Sequence, residues 1–536
     1  MSSQIDQFVQ KLLPSNEELP EYIWGQEGLQ DRKVLNVVAE LFEDVKGKGF
    51  MSKPFLRSSK RTLTYAQAQD YVSQISTFLI EELGLIPGNR VLLRGGNSIS
   101  MALNWLAVVN SGLIAVSTMP LLRAKELGEI IQKSKPSLAL CDEILMDELQ
   151  SAHKLQPTMS QIIGFDANHL NGEVFNKSAK FAPNPWFCKT TPQDIALLAF
   201  TSGTTGVPKA AVHNHLDILG SCSGWPKHIL KATQTDIVMG SPPLAFTFGL
   251  GGLLIFPMFS ASSVYFPDGP YRPESMVDLM NSVGCTICYT APTFYRQMVP
   301  FIQKAPVPSL RITVSAGEAL ADATRQLWKA ASGIEMIDGI GSTELFHIFV
   351  SSSPESIKPG AIGKVVPGYI AKVVDQNGEE VPIGTVGRLK VKGPSGCKYM
   401  DDSRQSNYVQ RGWNYPGDLF IQDSEGYLFY QSRDDDMIIT AGYNVGAPEV
   451  EDALLKHPAI LECGIVGQQD TERGMVVKAF CVLREGHSPS TELTKALQEH
   501  VKHLLAPYKY PREISYVEKL PRTETGKLQR FKLKQL

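Results

Sequence analysis

Residues 197–215 read LLAFTSGTTGVPKAAVHNH. The run IALLAF (195–200) has the apolar continuity of a buried strand. It leads into Thr201-Ser202-Gly203-Thr204-Thr205-Gly206-Val207-Pro208-Lys209, where four hydroxyls, two glycines and a lysine fall within nine residues. Glycines let backbone N–H groups approach an anion closely. Hydroxyls add donors and Lys209 adds positive charge, so the segment suits a triphosphate. It is not the Walker loop, which keeps four residues between its glycines and ends Gly-Lys-Ser/Thr. Here two residues separate Gly203 from Gly206, and Ala210 follows Lys209. The segment GLGGLL (249–254) likewise misses the dinucleotide-binding spacing.

Strand-like runs flank this loop on both sides: RVLLRG (90–95), SLALCD (137–142), SSVYF (262–266), CTICYT (285–290) and RITVSAG (311–317). Helix-length segments separate them, such as 65–83 and 275–283. This alternation predicts α/β layers on mainly parallel sheets. From about 364 to 430, short β-like pieces lie between Gly, Pro, Asn and Asp, which predicts a small antiparallel sheet or barrel. Past Arg433-Asp434-Asp435-Asp436 the pattern becomes helix, two strands and an amphipathic helix, a compact α+β unit.

The chain has 536 residues, of which 43% are hydrophobic and 20% charged, enough apolar material for several cores. Lys plus Arg number 52 against 55 Asp plus Glu, so no basic excess points to nucleic acid. Eight scattered cysteines indicate a reducing compartment rather than a disulfide scaffold. Cys285 and Cys288 form a C-x-x-C, but it lies in an apolar strand with no second pair at zinc spacing. The N-terminus lacks a basic start followed by an apolar run, and no 18-residue uncharged apolar stretch occurs. The expectation is a cytoplasmic protein without a membrane span, with a homodimer left open.

Four more motifs follow the first in order. They are Asp338-Gly339-Ile340-Gly341-Ser342-Thr343-Glu344, Tyr415-Pro416-Gly417-Asp418, Arg433-Asp434-Asp435-Asp436 with Ala441-Gly442-Tyr443-Asn444, and Pro521-Arg522-Thr523-Glu524-Thr525-Gly526-Lys527. Together with TSGTTGVPK they resemble the adenylate-forming superfamily of acyl-CoA synthetases, nonribosomal peptide adenylation domains and firefly luciferases. The resemblance spans roughly residues 30 to 536. With the alternation above, it implies an α/β fold. A large N-terminal domain (1–434) of layered α/β subdomains carries a small β-barrel at about 364–430. A small mobile α+β C-terminal domain (435–536) follows.

The resemblance also implies roles. Joining a carboxylate to the α-phosphorus of ATP brings two anions together, so charge must be neutralised and the attack aligned. Thr201, Ser202, Gly203, Thr204, Thr205, Gly206 and Lys209 are expected to hold phosphates. Glu344, with Thr204, is expected to ligate Mg²⁺, and Thr343 to donate to the α-phosphate. Gly317, Glu318, Asp338, Gly339 and Ile340 are expected around the adenine, with Asp418 and Arg433 on the ribose. Lys527 is expected to bridge the acid carboxylate and the α-phosphate. A thiol must then attack where Lys527 stood, so the small domain is expected to rotate about Asp435. Gly442 and Tyr443 would then face CoA.

The acid pocket is expected from Phe246, Thr247, Phe248, Tyr289, Ala291, Ala316, Gly341, His347 and Ile348, a small, mostly apolar set suited to a benzoate-sized ring. PLAFTFGLGGLL, SAGEAL and DGIGSTELFHIF resemble the aryl-CoA ligase branch. PGNRVLLRG and VSTMPLLRAKEL are most similar to the ligases for 2-aminobenzoate within it. The expected reaction is ATP-dependent activation of 2-aminobenzoate or benzoate as acyl-AMP, then transfer to CoA. His347 and Thr247 are the nearest polar candidates to meet a ring amine or the carboxylate; His347 would equally serve as a packed helix histidine. No carrier-protein domain follows Lys527, so free CoA is the expected acceptor. The alternatives are a medium-chain or other acyl-CoA synthetase and a stand-alone enzyme that loads a carrier protein. A luciferase-like oxygenase is more remote. A P-loop kinase or ATPase would release ADP instead of AMP and pyrophosphate.

Overall fold

A computed structural model describes residues 2–23, 28–201, 208–269, 271–440, 443–470, 473–522 and 527–536. The expectations for Ser202, Gly203, Thr204, Thr205, Gly206 and Gly442 lie outside the described residues.

The described residues form four sheets. In the first, the order is Gln161–Phe165, Leu138–Asp142, Arg90–Arg94, Ile114–Thr118, Ile195–Thr201 and Lys209–Asn214. Its strands pair in parallel except the last, which returns antiparallel to Ile195–Thr201. Arg90–Arg94 and Ile114–Thr118 are buried throughout, as parallel strands covered on both faces must be. Arg94 satisfies its buried guanidinium on the carbonyls of Met119, Pro120 and Leu122 at 2.8–2.9 Å.

The second sheet runs Lys364–Val365, Ile348–Ser351, Met336–Gly341, Ile312–Ser315, Ile287–Thr290, Ile237–Gly240, Ser263–Tyr265, Pro54–Arg57 and Thr62–Thr64. Its central strands are parallel. The helix Ile99–Asn110 is buried at every position and belongs to the main core that joins the two sheets. The apolar runs therefore read correctly as α/β layers.

The third sheet is antiparallel and carries Ile370–Val374, Gly387–Lys392, Val409–Gln410, Trp413–Asn414, Asp418–Gln422 and Leu428–Arg433. Lys364–Val365, counted with this unit from the sequence, instead ends the second sheet beside Ile348–Ser351. The fourth sheet begins after the one-turn helix Asp434–Asp436. It holds Ile438–Thr440, Tyr443–Val445, Ile460–Asp470, Gly474–Leu483 and Glu513–Tyr516. The helices Ala447–Leu455 and Thr491–Leu504 contribute Val450, Leu454, Leu497 and Val501 to its separate core. No helix among the described residues is long and apolar enough to cross a membrane.

Candidate active site

The site lies where the parallel strands of the second sheet end. Tyr289 pairs with Gly240 and Val314, and Ser315 pairs with both Thr290 and Asp338. The next residues along two of these strands, Ala291 and Ala316, therefore leave the sheet side by side, while Gly339 continues its strand and pairs with Ser351. Carboxyl ends of parallel strands are the usual crevice for ligands in α/β folds. Gly317 follows with φ +92°, a backbone that favours glycine. A Cβ there would sit 3.8 Å from Lys527 Cε, so the small-domain lysine already reaches this edge.

Lys527 is exposed to solvent along its side chain, with protein groups packed near its ammonium. That packing lowers its ammonium pKa. Glu344, Asp418 and Glu318 oppose the shift, whereas Arg433 adds to it. Asp418 and Arg433 form an ion pair at 3.2 Å, and Arg433 also donates to the Pro416 carbonyl at 2.7 Å. The expected ribose pair is thus together.

Glu344 lies in the turn between the antiparallel strands Met336–Gly341 and Ile348–Ser351. Phe346 in the same turn takes φ +67°. His347 therefore sits in a turn, not a helix: the strand reverses too tightly for helical hydrogen bonds to form. Glu344 is buried, accepting from Tyr399 Oη and, at 3.4 Å, from Tyr408 Oη. Ser342 Oγ lies 2.9 Å from Tyr408 Oη, and His213 Nε2 donates to the Thr343 carbonyl at 2.7 Å. Lys209 Nζ lies over the Tyr399 ring, 5.1 Å from its centroid, and its strand pairs Lys209 with Thr201. The first and second nucleotide motifs thus meet through Tyr399. Neither Tyr399 nor Tyr408 carried a sequence signal, because each is a lone tyrosine outside the motifs: Tyr399 bridges to Ala211 and Tyr408 ends the short helix Gln405–Tyr408.

Asp338 is buried, and its carboxylate accepts from the Gly339 N–H at 2.9 Å. Burial pushes its pKa up to about 7. The Glu318 carboxylate accepts from Thr293 Oγ1 at 2.5 Å and from Arg522 at 2.7 Å. These contacts fix the carboxylate in place.

Of the expected acid-pocket residues, Phe248, Tyr289 and His347 form one aromatic cluster. Phe248 lies 5.9 Å from Tyr289 and 5.4 Å from His347, centroid to centroid. Sequence reading missed its other members, Trp225 and Phe256, at 5.5 and 4.5 Å from His347. The available signal was GLGGLL: a Cβ on Gly251 would fall 2.5 Å from His347 Cδ2, and one on Gly252 2.9 Å from Tyr289 Cε1. Ile348 is tucked against Gly339, where a Cβ would come within 2.9 Å. Thr247 is buried at the start of the helix Thr247–Leu250, Phe246 precedes it, and Gly341 ends its strand in the open. Phe248, rather than Phe246, supplies the phenylalanine ring of the cluster.

Burial lowers the His347 pKa to about 3, so the ring is neutral. Nε2 lies 3.3 Å from the Phe248 carbonyl and must donate to it. Nδ1 is then a bare acceptor, buried and without a partner among the described residues, as is Tyr289 Oη.

The family model described as AMP-binding enzyme matches residues 43–398, and the AMP-binding enzyme C-terminal domain matches 449–527. The chain belongs to the AMP-binding enzyme family. It is 34% identical over 480 residues to a benzoate–CoA ligase of Thauera aromatica, covering 88% of this chain and 90% of that protein. A solved structure of the anthranilate CoA ligase AuaEII with anthranoyl-AMP superposes with TM-score 0.89 at 32% identity. That match covers 94% of this chain and 97% of the other. A benzoate CoA ligase from Burkholderia xenovorans LB400 gives TM-score 0.85 at 29% identity, covering 94% and 100%. These relatives agree with the aryl-CoA ligase branch that the motifs resemble. As in other AMP-binding enzymes, a large N-terminal domain is followed by a small C-terminal one.

In this family member, Asp435 lies within Asp434–Asp436, between the last strand of the third sheet and the first of the fourth. Tyr443 opens the strand Tyr443–Val445 and stacks on Tyr508, ring centroids 4.5 Å apart.

Proposed function

We propose that this AMP-binding enzyme is an ATP-dependent aryl-CoA ligase, with 2-aminobenzoate or benzoate as the acid. The observation that carries the reading is the approach of Lys527 to Gly317, within reach of Glu344 and Asp418, beside the strand ends that lead to the aromatic cluster. A cation at that junction can neutralise the acid carboxylate and the α-phosphate as they approach. The carboxylate oxygen attacks the α-phosphorus, the bond to pyrophosphate breaks, and an acyl-adenylate forms. Rotation of 435–536 about Asp435 then withdraws Lys527 and brings Gly442 and Tyr443 to the site. The CoA sulfur attacks the acyl carbon, AMP leaves, and the thioester remains.

Glu344 fits Mg²⁺ as a ligand: it is a hard oxygen donor, and each carboxylate oxygen keeps a lone pair after accepting from a tyrosine. One carboxylate plus substrate phosphates is a coordination that Mg²⁺ commonly takes. When bound, the ion would supply charge neutralisation on the phosphates. Thr204 is the second proposed ligand, and the loop 202–206 with Lys209 the proposed phosphate cradle. Asp418 and Arg433 are proposed for the ribose, and Gly317, Asp338, Gly339 and Ile340 for the adenine.

A 2-aminobenzoate reading is supported by the unpartnered His347 Nδ1, an acceptor that a ring amine can satisfy and benzoate cannot. Flat neighbours Trp225, Phe248 and Tyr289 suit a ring over an extended chain. The named relatives support the same class. Acid-dependent release of pyrophosphate, and CoA-dependent release of AMP, should be measured with benzoate, 2-aminobenzoate, salicylate and octanoate. The expected order puts 2-aminobenzoate or benzoate first. Octanoate leading the series would overturn the aryl assignment, and ADP as product would overturn adenylate formation.

A further inference from the structure

Five residues before Lys527, the Arg522 guanidinium reaches across the two domains. It donates from Nη1 to Glu318 Oε1 at 2.7 Å and from Nη2 to Glu462 Oε2 at 2.9 Å. Glu318 belongs to the large domain and follows Gly317, the residue that Lys527 approaches. Glu462 lies in the small-domain strand Ile460–Asp470. All three side chains are mostly buried, at 24% exposure for Arg522, 13% for Glu318 and 21% for Glu462. Thr293 Oγ1 donates to Glu318 Oε2, so the acceptor is itself fixed.

Arg522 is also tied to the residue that follows the lysine. It pairs with Leu528 in an antiparallel bridge, and the Gln529 N–H donates to the Pro521 carbonyl at 2.9 Å. A guanidinium that grips one carboxylate on each domain is therefore fixed to the backbone beside the lysine. Further polar links between the same domains end on the helix Ala447–Leu455. The Ala323 N–H donates to Asp452 at 2.9 Å, and Arg296 donates to the Leu455 carbonyl at 3.4 Å.

We infer that Arg522 is a positioning residue for adenylation: its fork between Glu318 and Glu462 latches the small domain in the orientation that presents Lys527. Rotation toward thioester formation must release Glu318, while Glu462 travels with Arg522 on the small domain. The latch rests on the two-step reaction proposed above. It predicts a split between half-reactions that a general loss of folding would not produce. Arg is suited to the task because its planar fork serves two carboxylates at once, which a lysine ammonium on one stem does less well.

The test compares the full-length protein with Arg522→Ala and Arg522→Lys. Acid-dependent ATP–pyrophosphate exchange reads adenylation, and supplied aryl-adenylate plus CoA reads thioester formation. Arg522→Ala should lower exchange roughly ten- to a hundredfold, the loss expected for charged hydrogen bonds, while thioester formation stays within about twofold. Arg522→Lys should recover part of the exchange. A second measurement needs no turnover: the distance between spin labels at Ile144→Cys and Leu504→Cys, both exposed. Arg522→Ala should shift or broaden that distance in the ligand-free protein. Equal loss in both half-reactions, unchanged exchange, or an unchanged label distance would each overturn the latch. Wild-type protein without exchange on any acid would overturn the proposed reaction, and the label distances would still decide the latch.

Discussion

At the scale of single residues, burial sets the chemistry. Lys527 is held among carboxylates that keep its ammonium charged against the desolvation that lowers its pKa. Replacing it by alanine should lower acid-dependent pyrophosphate exchange roughly a hundred- to a thousandfold, the scale for losing one charged stabiliser of a transition state. Thioester formation from supplied acyl-adenylate should survive, and loss of both reactions would contradict the assigned role. Asp338 behaves oppositely, its pKa raised from 3.8 to about 7. Between those values the folded protein holds a proton that the unfolded chain has released, so stability falls as pH rises through that window and levels above it. Asp338→Asn should remove this contribution. Urea midpoints at pH 5 and pH 8 should converge in the variant relative to wild type, and parallel curves would refute the assignment.

At the scale of elements, the acid pocket depends on how closely the segment 249–255 approaches its neighbours. Gly251→Ala would drive a methyl into the His347 ring at 2.5 Å. Overpacking of this kind costs about 1–3 kcal/mol, and the displaced ring should change the order of preferred acids. Urea denaturation and the acid panel check both, and an unchanged order would separate His347 from acid selection. Strands were legible because continuous apolar runs belong to buried parallel sheets, as Ile195–Thr201 and Arg90–Arg94 illustrate. Trp225, Phe256, Tyr399 and Tyr408 were not legible, because an aromatic in an apolar or loop segment looks the same whether it fills a core or lines a site.

At the scale of the molecule, polar contacts that join the two domains include Arg522 to Glu318, the Ala323 N–H to Asp452 and Arg296 to the Leu455 carbonyl. Asp435→Pro fixes φ within the one-turn helix Asp434–Asp436 between the third and fourth sheets. It should leave pyrophosphate exchange nearly intact while slowing thioester formation about tenfold or more. Equal effects on both half-reactions would argue against a pivot there. Read with Arg522→Ala, which is expected to impair the opposite step, the pair tests the hinge from both sides.

The local motifs of the chain, a phosphate loop, a Gly-Ser-Thr-Glu turn and a terminal Gly-Lys, were enough to carry its resemblance to the family. Sheet order, the meeting of Lys209 with Glu344 through Tyr399, the aromatic box around His347 and the Arg522 bridge came only from the tertiary structure. Each joins residues distant in sequence, and no local propensity encodes which side chains burial will bring together. That selection is made when the sheets pack and every buried charge must find a partner.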